Sequence, residues 1–397
     1  MQRLDLYREF AERLIASGAA YRCYCTKEEL AAAREKLKAE NPKANFVYPG
    51  TCRHRTDHPD KPYVVRFDMT KVAREATTYR DLVFGEVTTP NSAQQDFVLL
   101  RSDGVPLYNF GVVVDDLTMG ITMVMRGRDH MVNTPPQILL YEALGAKLPQ
   151  FAHLPMMLAP SGEKLSKRHG AVSVGEYQDK GYSPMGVLNY LVRFGWSHGD
   201  QEIFGREELI EKFDLEHLGR PDGRFDARKF ADVNFEHLKQ DRLTPLERYV
   251  QMVGPFVEKR GLPAPEGATL RAAIPTIRER ARTFVEAADA MDFYLREPPV
   301  IDEAASRKFL VPESAEGLEA LAAALEPVSP WDHASLEARF QGFLEERALP
   351  MKAIAQPARV ALTGRTASPG LFEVLAVLGR DRALSRLRAA AATARGV

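Results

Sequence analysis

Three cysteines and one histidine stand at a spacing that suits a metal ion: Cys23-Tyr-Cys25 and, further along, Cys52-Arg-His54. Three thiolates and an imidazole make a closed tetrahedral shell, the donor set of structural Zn2+, with no open position left for catalysis. Pro49-Gly50 supplies a turn just before the second pair. All the cysteines of the chain lie in this window, and their odd count argues against a disulfide framework. The plain alternative is three buried thiols beside a surface histidine. A second cluster, Lys164-Leu-Ser-Lys-Arg168, follows Pro160-Ser-Gly162 and precedes His169-Gly170. Cations set this close, with a serine between them and glycines on either side, form an anion-binding loop; backbone amides add donors to the lysine heads. The alternative there is a solvated surface loop.

These groups need elements to hold them. Residues 3–17 and 27–40 read as helices, and Tyr63-Val-Val-Arg-Phe67 and Asp96-Phe-Val-Leu-Leu100 as strands. Ile121–Met125 resembles a buried strand, and a helix follows near Pro135–Leu144, with Thr134 as N-cap and Gly145 past its end. Phe151–Leu158 is the next strand, which completes one strand–helix–strand unit of a parallel sheet. Periodicity alone makes Val112–Val114 a strand. From about residue 243 helical patterning dominates, as in Ser335–Leu344 and Arg380–Ala392, with Gly261–Gly267 as a loop between helices.

The chain has 397 residues, 45% hydrophobic and 27% charged, enough for two to four domains with real cores. No apolar run reaches the length of a membrane span, and the charged N-terminus has no apolar signal core, so a cytoplasmic chain without membrane contact is expected. A formal net charge of −1 excludes polyanion binding by bulk charge and leaves it to local basic patches.

Lys164-Leu-Ser-Lys-Arg168 after an α/β unit resembles the second signature loop of class I aminoacyl-tRNA synthetases. Its continuation to Val174 is similar to the bacterial glutamyl enzymes of that family. Tyr21–Cys25, Leu107–Asp116, Leu188–Ser197, Gln356–Gly364 and Pro369–Glu373 fit the same family, so the resemblance covers essentially the whole chain. The Cys/His arrangement looks like its zinc-containing branch. The implied fold is α/β followed by all-α. It comprises a partial class I nucleotide-binding (Rossmann-like) fold with a zinc-bearing insertion, then a helical anticodon-binding region. The implied domains are 1–108, a connective, acceptor-binding insertion with the zinc site; 109–160, the second half of the nucleotide-binding fold; 161–242, the signature loop and stem-contact region; and 243–397, the anticodon-binding domain. Against the periodicity, the resemblance makes Val112–Val114 helical.

The resemblance implies ATP-dependent activation of L-glutamate, with Mg2+ on the ATP, and transfer to the 3′ end of tRNA(Glu) by a monomer. Lys167 would bind ATP and neutralise charge on the departing pyrophosphate, with Lys164, Ser166 and Arg168 around it; His169 would be a loop residue. Tyr108 and Arg126 would line the glutamate pocket. Arg126 ends a predicted strand, where ligands of open α/β sheets sit, and could clamp a carboxylate bidentately. Asp115-Asp116 could pair with basic groups or cap a turn. Arg278 and Arg280, expected on a helix, could contact the anticodon.

Two departures stand out. Arg128 occupies a place where the family usually has Glu, which puts the local charge balance in question. The family's opening strand, its His-x-Gly-His loop and its Glu-Asp-Thr-Asp stretch do not occur in the sequence. The expectation drawn from this is an incomplete, catalytically crippled form with an exposed sheet edge near 109–160. A non-catalytic tRNA-binding paralogue and, against the long helical half, a glutamyl-queuosine tRNA-modifying enzyme are the alternatives.

Overall fold

The computed structural model describes residues 2–42, 46–165, 173–262 and 267–396. The chain forms two compact units, one of residues 1–164, 194–198 and 213–224, the other of 165–193, 199–212 and 225–397.

In the first unit, helix α1 (Leu4–Ala16) packs Tyr7, Phe10, Ala11 and Leu14 into a core with Val65, Phe67, Leu99 and Phe110. Its apolar positions recur at three- and four-residue intervals, which puts them on one face. Strands β1 (Ala20–Cys23) and β2 (Val64–Phe67) pair antiparallel, and β2 pairs likewise with a later strand, Val98–Leu100. Helix α2 (Lys27–Glu40) starts at a capping box in which Thr26 and Glu29 satisfy each other's backbone N–H groups.

A second sheet joins β3 (Ala76–Asp81), β4 (Gly85–Pro90), β6 (Met123–Gly127) and β7 (Gln150–Leu154) in the order β4-β3-β7-β6; the Val98–Leu100 strand is β5. The β6–β7 and β3–β7 pairs are parallel. Helix α4 (Thr134–Ala143) lies between β6 and β7 in sequence, so the expected strand–helix–strand unit is present, and its N-cap is Asn133 rather than Thr134. The sheet draws β3 and β4 from before residue 108 and β6 and β7 from after it. Strand β6 is at the sheet's edge, with Met125 exposed. The expected strand over 151–158 divides into β7 and β8 (Met157–Leu158), and β8 pairs with β9 (Gly223–Arg224). Val112–Val114 belongs to helix α3 (Tyr108–Met119), not a strand. Its apolar run buries Phe110, Val113 and Val114, a continuous cluster that periodicity cannot separate from a strand.

The second unit is helical among its described residues. Its core gathers Tyr249, Ile274, Phe284, Leu318, Phe340, Val360, Leu375 and Leu387 from helices spread over 246–395. His333–Glu346 and Arg380–Arg395 confirm the helices expected near 335 and 380. No helix is long and apolar enough to cross a membrane among the described residues.

Buried His237, on the helix Ala227–Lys239, has its Nε2 2.9 Å from Asn189 Oδ1, while its Nδ1 has no partner among the described residues. Asn189 also accepts from the Phe204 backbone N–H at 2.8 Å and donates to the Glu202 carbonyl at 2.9 Å. A second ring proton would therefore enter a site with no acceptor. Burial, reinforced by the charge of Arg242, pushes the imidazole down to about 4. The folded value lies below the unfolded one of about 6.5, so the unfolded chain takes up the proton first. The stabilisation is complete above the unfolded value and is lost as pH falls toward the folded one. Stability of this unit against urea should thus drop between roughly pH 6.5 and 4, by at most about 3 kcal/mol. His237→Gln should flatten that slope; an identical slope in the variant would contradict the assignment.

Candidate functional site

Three parallel strands deliver polar side chains at their carboxyl ends. Asp81 closes β3, Arg126 and His153 are register partners near the ends of β6 and β7, and ligands of open α/β sheets bind at this edge. The Arg126 guanidinium is held from several sides. Its Nε donates to His153 Nε2 at 3.2 Å, and its Nη2 donates to Thr134 Oγ1 and Gln137 Oε1, both at 2.9 Å. Its Nη1 makes only a long contact, 3.4 Å, to the Tyr108 hydroxyl among the described residues. Tyr108 is half exposed at the start of α3, and its hydroxyl lies 3.0 Å from His130 Nδ1. The structure thus brings Tyr108 and Arg126 together, with Nη1 the least engaged nitrogen of the guanidinium, a group suited to receive a carboxylate.

Sequence reasoning missed what lies beneath. Asp81 and His153 are completely buried, with His153 Nδ1 2.6 Å from Asp81 Oδ2. Burial holds the His153 imidazole below its ordinary value despite the Asp81 carboxylate beside it. The available signal was a histidine within the apolar run Phe151–Leu154 of β7. Asp115 pairs with Arg3 at 3.1 Å and accepts from the Tyr7 hydroxyl at 2.8 Å. Burial raises the Asp116 carboxyl, and Arg126 counteracts part of that rise.

Arg128 forms an ion pair with Asp222 at 2.7 Å, and Asp222 also accepts from the Met156 backbone N–H at 2.8 Å. Its charge is therefore neutralised locally. Lys164 contacts Asp129 Oδ2 at 2.7 Å, and the lysine holds that carboxyl below its usual range. Ser166, Lys167, Arg168 and His169 lie outside the described residues.

The thiols of Cys23, Cys25 and Cys52 lie within 4.8 Å of one another, with Cys25 and Cys52 Sγ atoms 3.6 Å apart. Zn–S bonds of about 2.3 Å in a tetrahedron place sulfurs about 3.8 Å apart, so the cluster has the size of a zinc shell. His54 does not join it. It is exposed, because residues 51–54 form a turn in which side chains two apart point to nearly opposite sides. The fourth side of the cluster is filled by the Tyr48 hydroxyl, 3.2 Å from Cys23 Sγ and 3.6 Å from Cys25 Sγ. Tyr48 is fixed by the Gln95 side chain on its backbone N–H, and the Arg66 guanidinium lies 4.0 Å from its ring centroid. The expected turn is real: Gly50 has φ +75°, and a Cβ there would strike the Arg53 guanidinium. Arg53 in turn pairs with Asp96 at 2.7 Å, which anchors the Cys52 loop. Burial pushes the Cys25 thiol up to about 12. Burial also opposes ionisation of Cys52, but hydrogen bonds led by the Tyr24 backbone N–H outweigh it and hold that thiol below its ordinary value.

Arg278 is corrected by the structure. It lies just past the helix Gly267–Ile277 and is buried, not presented on a helix face. Its guanidinium donates to the carbonyls of Leu238 and Thr244 at 3.0 and 2.8 Å and pairs with Asp241 at 3.1 Å. These contacts make it a clamp inside its own unit, with no free edge for an anticodon. Arg280 is exposed.

Residues 1–232 match the family model described as tRNA synthetases class I (E and Q), catalytic domain, and residues 248–391 match an anticodon binding domain. A glutamate–tRNA ligase of Geobacter sulfurreducens is 46% identical over 393 residues, 98% of this chain and 83% of the relative. One from Anaeromyxobacter dehalogenans is 48% identical over 97% of this chain and 80% of the relative. A crystal structure of a glutamate tRNA ligase from Elizabethkingia meningosepticum, in complex with its amino acid, superposes with a TM-score of 0.80. It is 27% identical and covers 99% of this chain and 83% of that one.

Proposed function

The chain belongs to the class I tRNA synthetase family of the glutamate and glutamine enzymes, and from that premise we propose that it joins glutamate to tRNA at the expense of ATP. The observation that carries this reading is the Arg126–Tyr108 pair at the carboxyl edge of the parallel sheet. The relatives lend no support to a non-catalytic paralogue or a glutamyl-queuosine enzyme.

In the first step a glutamate carboxylate oxygen attacks the α-phosphorus of ATP, and pyrophosphate leaves. In the second a ribose hydroxyl at the tRNA 3′ end attacks the acyl carbon, and AMP leaves. Arg126 and Tyr108 hold a carboxylate of the amino acid, so that the reacting oxygen is aligned. Lys167, supported by Lys164, Ser166 and Arg168, neutralises charge on the departing pyrophosphate, and Mg2+ accompanies the ATP. Cys23, Cys25 and Cys52 would hold a structural Zn2+, with the Tyr48 hydroxyl, which lies beside the thiols, as the fourth donor in place of the exposed His54. The protein acts in the cytoplasm as a monomer.

The test is pyrophosphate release by the protein expressed from its own gene, supplied with ATP–Mg2+ and tRNA. Release is expected with L-glutamate and is expected to fall about 100-fold in Lys167→Ala. Release that ignores glutamate would overturn the reading.

Residues 243–397 are the anticodon-binding part, with Arg280 on the tRNA. Affinity for tRNA(Glu) should fall with rising salt as phosphate contacts release counterions, and Arg280→Ala should lower the log–log slope by about one if the contact is to phosphate, or leave it if to a base. In either case affinity drops. Affinity unchanged by Arg280→Ala would remove that residue from the interface.

A further inference from the structure

The buried pair beneath Arg126 is more elaborate than packing requires. Asp81 Oδ1 accepts from the backbone N–H groups of Val83 and Phe84, at 3.0 and 2.9 Å, and Oδ2 is left for His153. Arg126 Nε can only donate, so His153 Nε2 accepts from it and the proton between His153 and Asp81 sits on Nδ1 of the ring, donated to the Asp81 carboxylate. The groups facing Nε2 are Arg126 Nε at 3.2 Å and Thr134 Oγ1 at 3.3 Å. The alternative tautomer would set an imidazole N–H against the guanidinium N–H. Both side chains are fully buried.

Resting on the reading of Arg126 as the carboxylate clamp, we propose that Asp81 and His153 are its positioning residues: Asp81 sets the tautomer of His153, and His153 sets the rotation of the guanidinium. The chain of contacts also places the Asp81 carboxylate beyond His153, on the Nε side of Arg126 and not on the Nη1 side that meets Tyr108. A carboxylate entering on the Nη1 side therefore meets a cation whose orientation is fixed in advance, and does not have to order it. The low value at which His153 would protonate agrees with a ring that stays neutral in this role.

In Asp81→Asn the amide has N–H donors of its own. Turned to satisfy Val83 and Phe84 with its oxygen, it donates to His153 and reverses the tautomer, so Arg126 loses its acceptor. His153→Leu removes the acceptor outright. His153→Gln can place an amide oxygen near the position of Nε2 and keep it. The experiment measures glutamate KM, ATP KM and thermal midpoint for these variants, made in the protein expressed from its own gene. Asp81→Asn and His153→Leu are expected to raise glutamate KM by about 10- to 100-fold with ATP KM unchanged, and His153→Gln to recover most of that loss. A purely structural pair would lower the thermal midpoint without a selective rise for glutamate, and that result overturns the proposal. So does an equal rise for glutamate and ATP, or an equal loss in the Gln and Leu variants. Should Asp81→Asn fail to fold, the His153 variants decide. If Arg126→Ala also leaves glutamate KM unmoved, the clamp reading itself fails; if only the His153 and Asp81 variants are neutral, the clamp stands and the positioning role falls.

Discussion

Arg126→Ala should lower kcat/KM for glutamate by about 1,000-fold, chiefly through KM, with tRNA affinity kept. A charge-assisted hydrogen bond to a carboxylate contributes about 1.5–3 kcal/mol, and the loss does not stop there. Thr134, Gln137 and His153 are part of a buried set that satisfies the guanidinium, and truncation strands their acceptors. Asp116 and Asp81 would then present uncompensated negative charge to an anionic substrate. Together these effects reach about 4 kcal/mol, which is the 1,000-fold figure. Arg126→Lys keeps the charge but not the planar fork and should recover only about tenfold. Steady-state kinetics at saturating ATP and tRNA measure it. A glutamate KM within about threefold of wild type in Arg126→Ala would remove Arg126 from the pocket.

Cys52→Ser should take the zinc content from near one per chain to well below half. Structural zinc contributes on the order of 10 kcal/mol to small domains that fold around it. Here the surrounding loop has other anchors, including the Arg53–Asp96 ion pair and the packing of Tyr24 and Tyr48, so part of the fold survives. A loss of roughly 3 kcal/mol, seen as a fall of roughly 10 °C in the thermal midpoint of the first unit, is the expected outcome. Tyr48→Phe should weaken zinc retention against a chelator while His54→Ala leaves it unchanged, because the phenol and not the imidazole faces the thiols. Metal analysis gives the stoichiometry. Zinc unaffected by Cys52→Ser would abolish the site, and loss in His54→Ala with retention in Tyr48→Phe would restore the imidazole as fourth donor.

The features legible in the sequence were those with local periodicity or unusual spacing. Helices α1 and α2, the β6–α4–β7 unit and the long helical half follow from apolar patterning and caps, and the clustered cysteines from their spacing. Tyr108 and Arg126 follow from a resemblance, and the start of α3 meets the end of β6 to bring them together. What stayed hidden depends on long-range approach. Asp81 and His153 are 72 positions apart, and only the parallel pairing of β3 with β7 makes them neighbours. Tyr48 lies four residues before Cys52, yet its part in the cluster requires the Gly50 turn. His54 is exposed and Arg278 buried, which residue type and spacing could not say, because neither fixes which way a side chain points out of a turn. Val112–Val114 was ambiguous because a short apolar run buries equally well in a strand or a helix.

Esterification of tRNA with glutamate at the Arg126–Tyr108 site is the reaction proposed for this chain. It is tested most directly by offering the protein expressed from its own gene an equimolar mixture of labelled glutamate, glutamine and aspartate with ATP–Mg2+ and tRNA, and identifying by mass spectrometry the residue carried on the tRNA 3′ end. Glutamate alone is expected there, with the ester reduced to a trace in Arg126→Ala under the same conditions. Glutamine or aspartate on the tRNA, or glutamate charged equally well by Arg126→Ala, would contradict it.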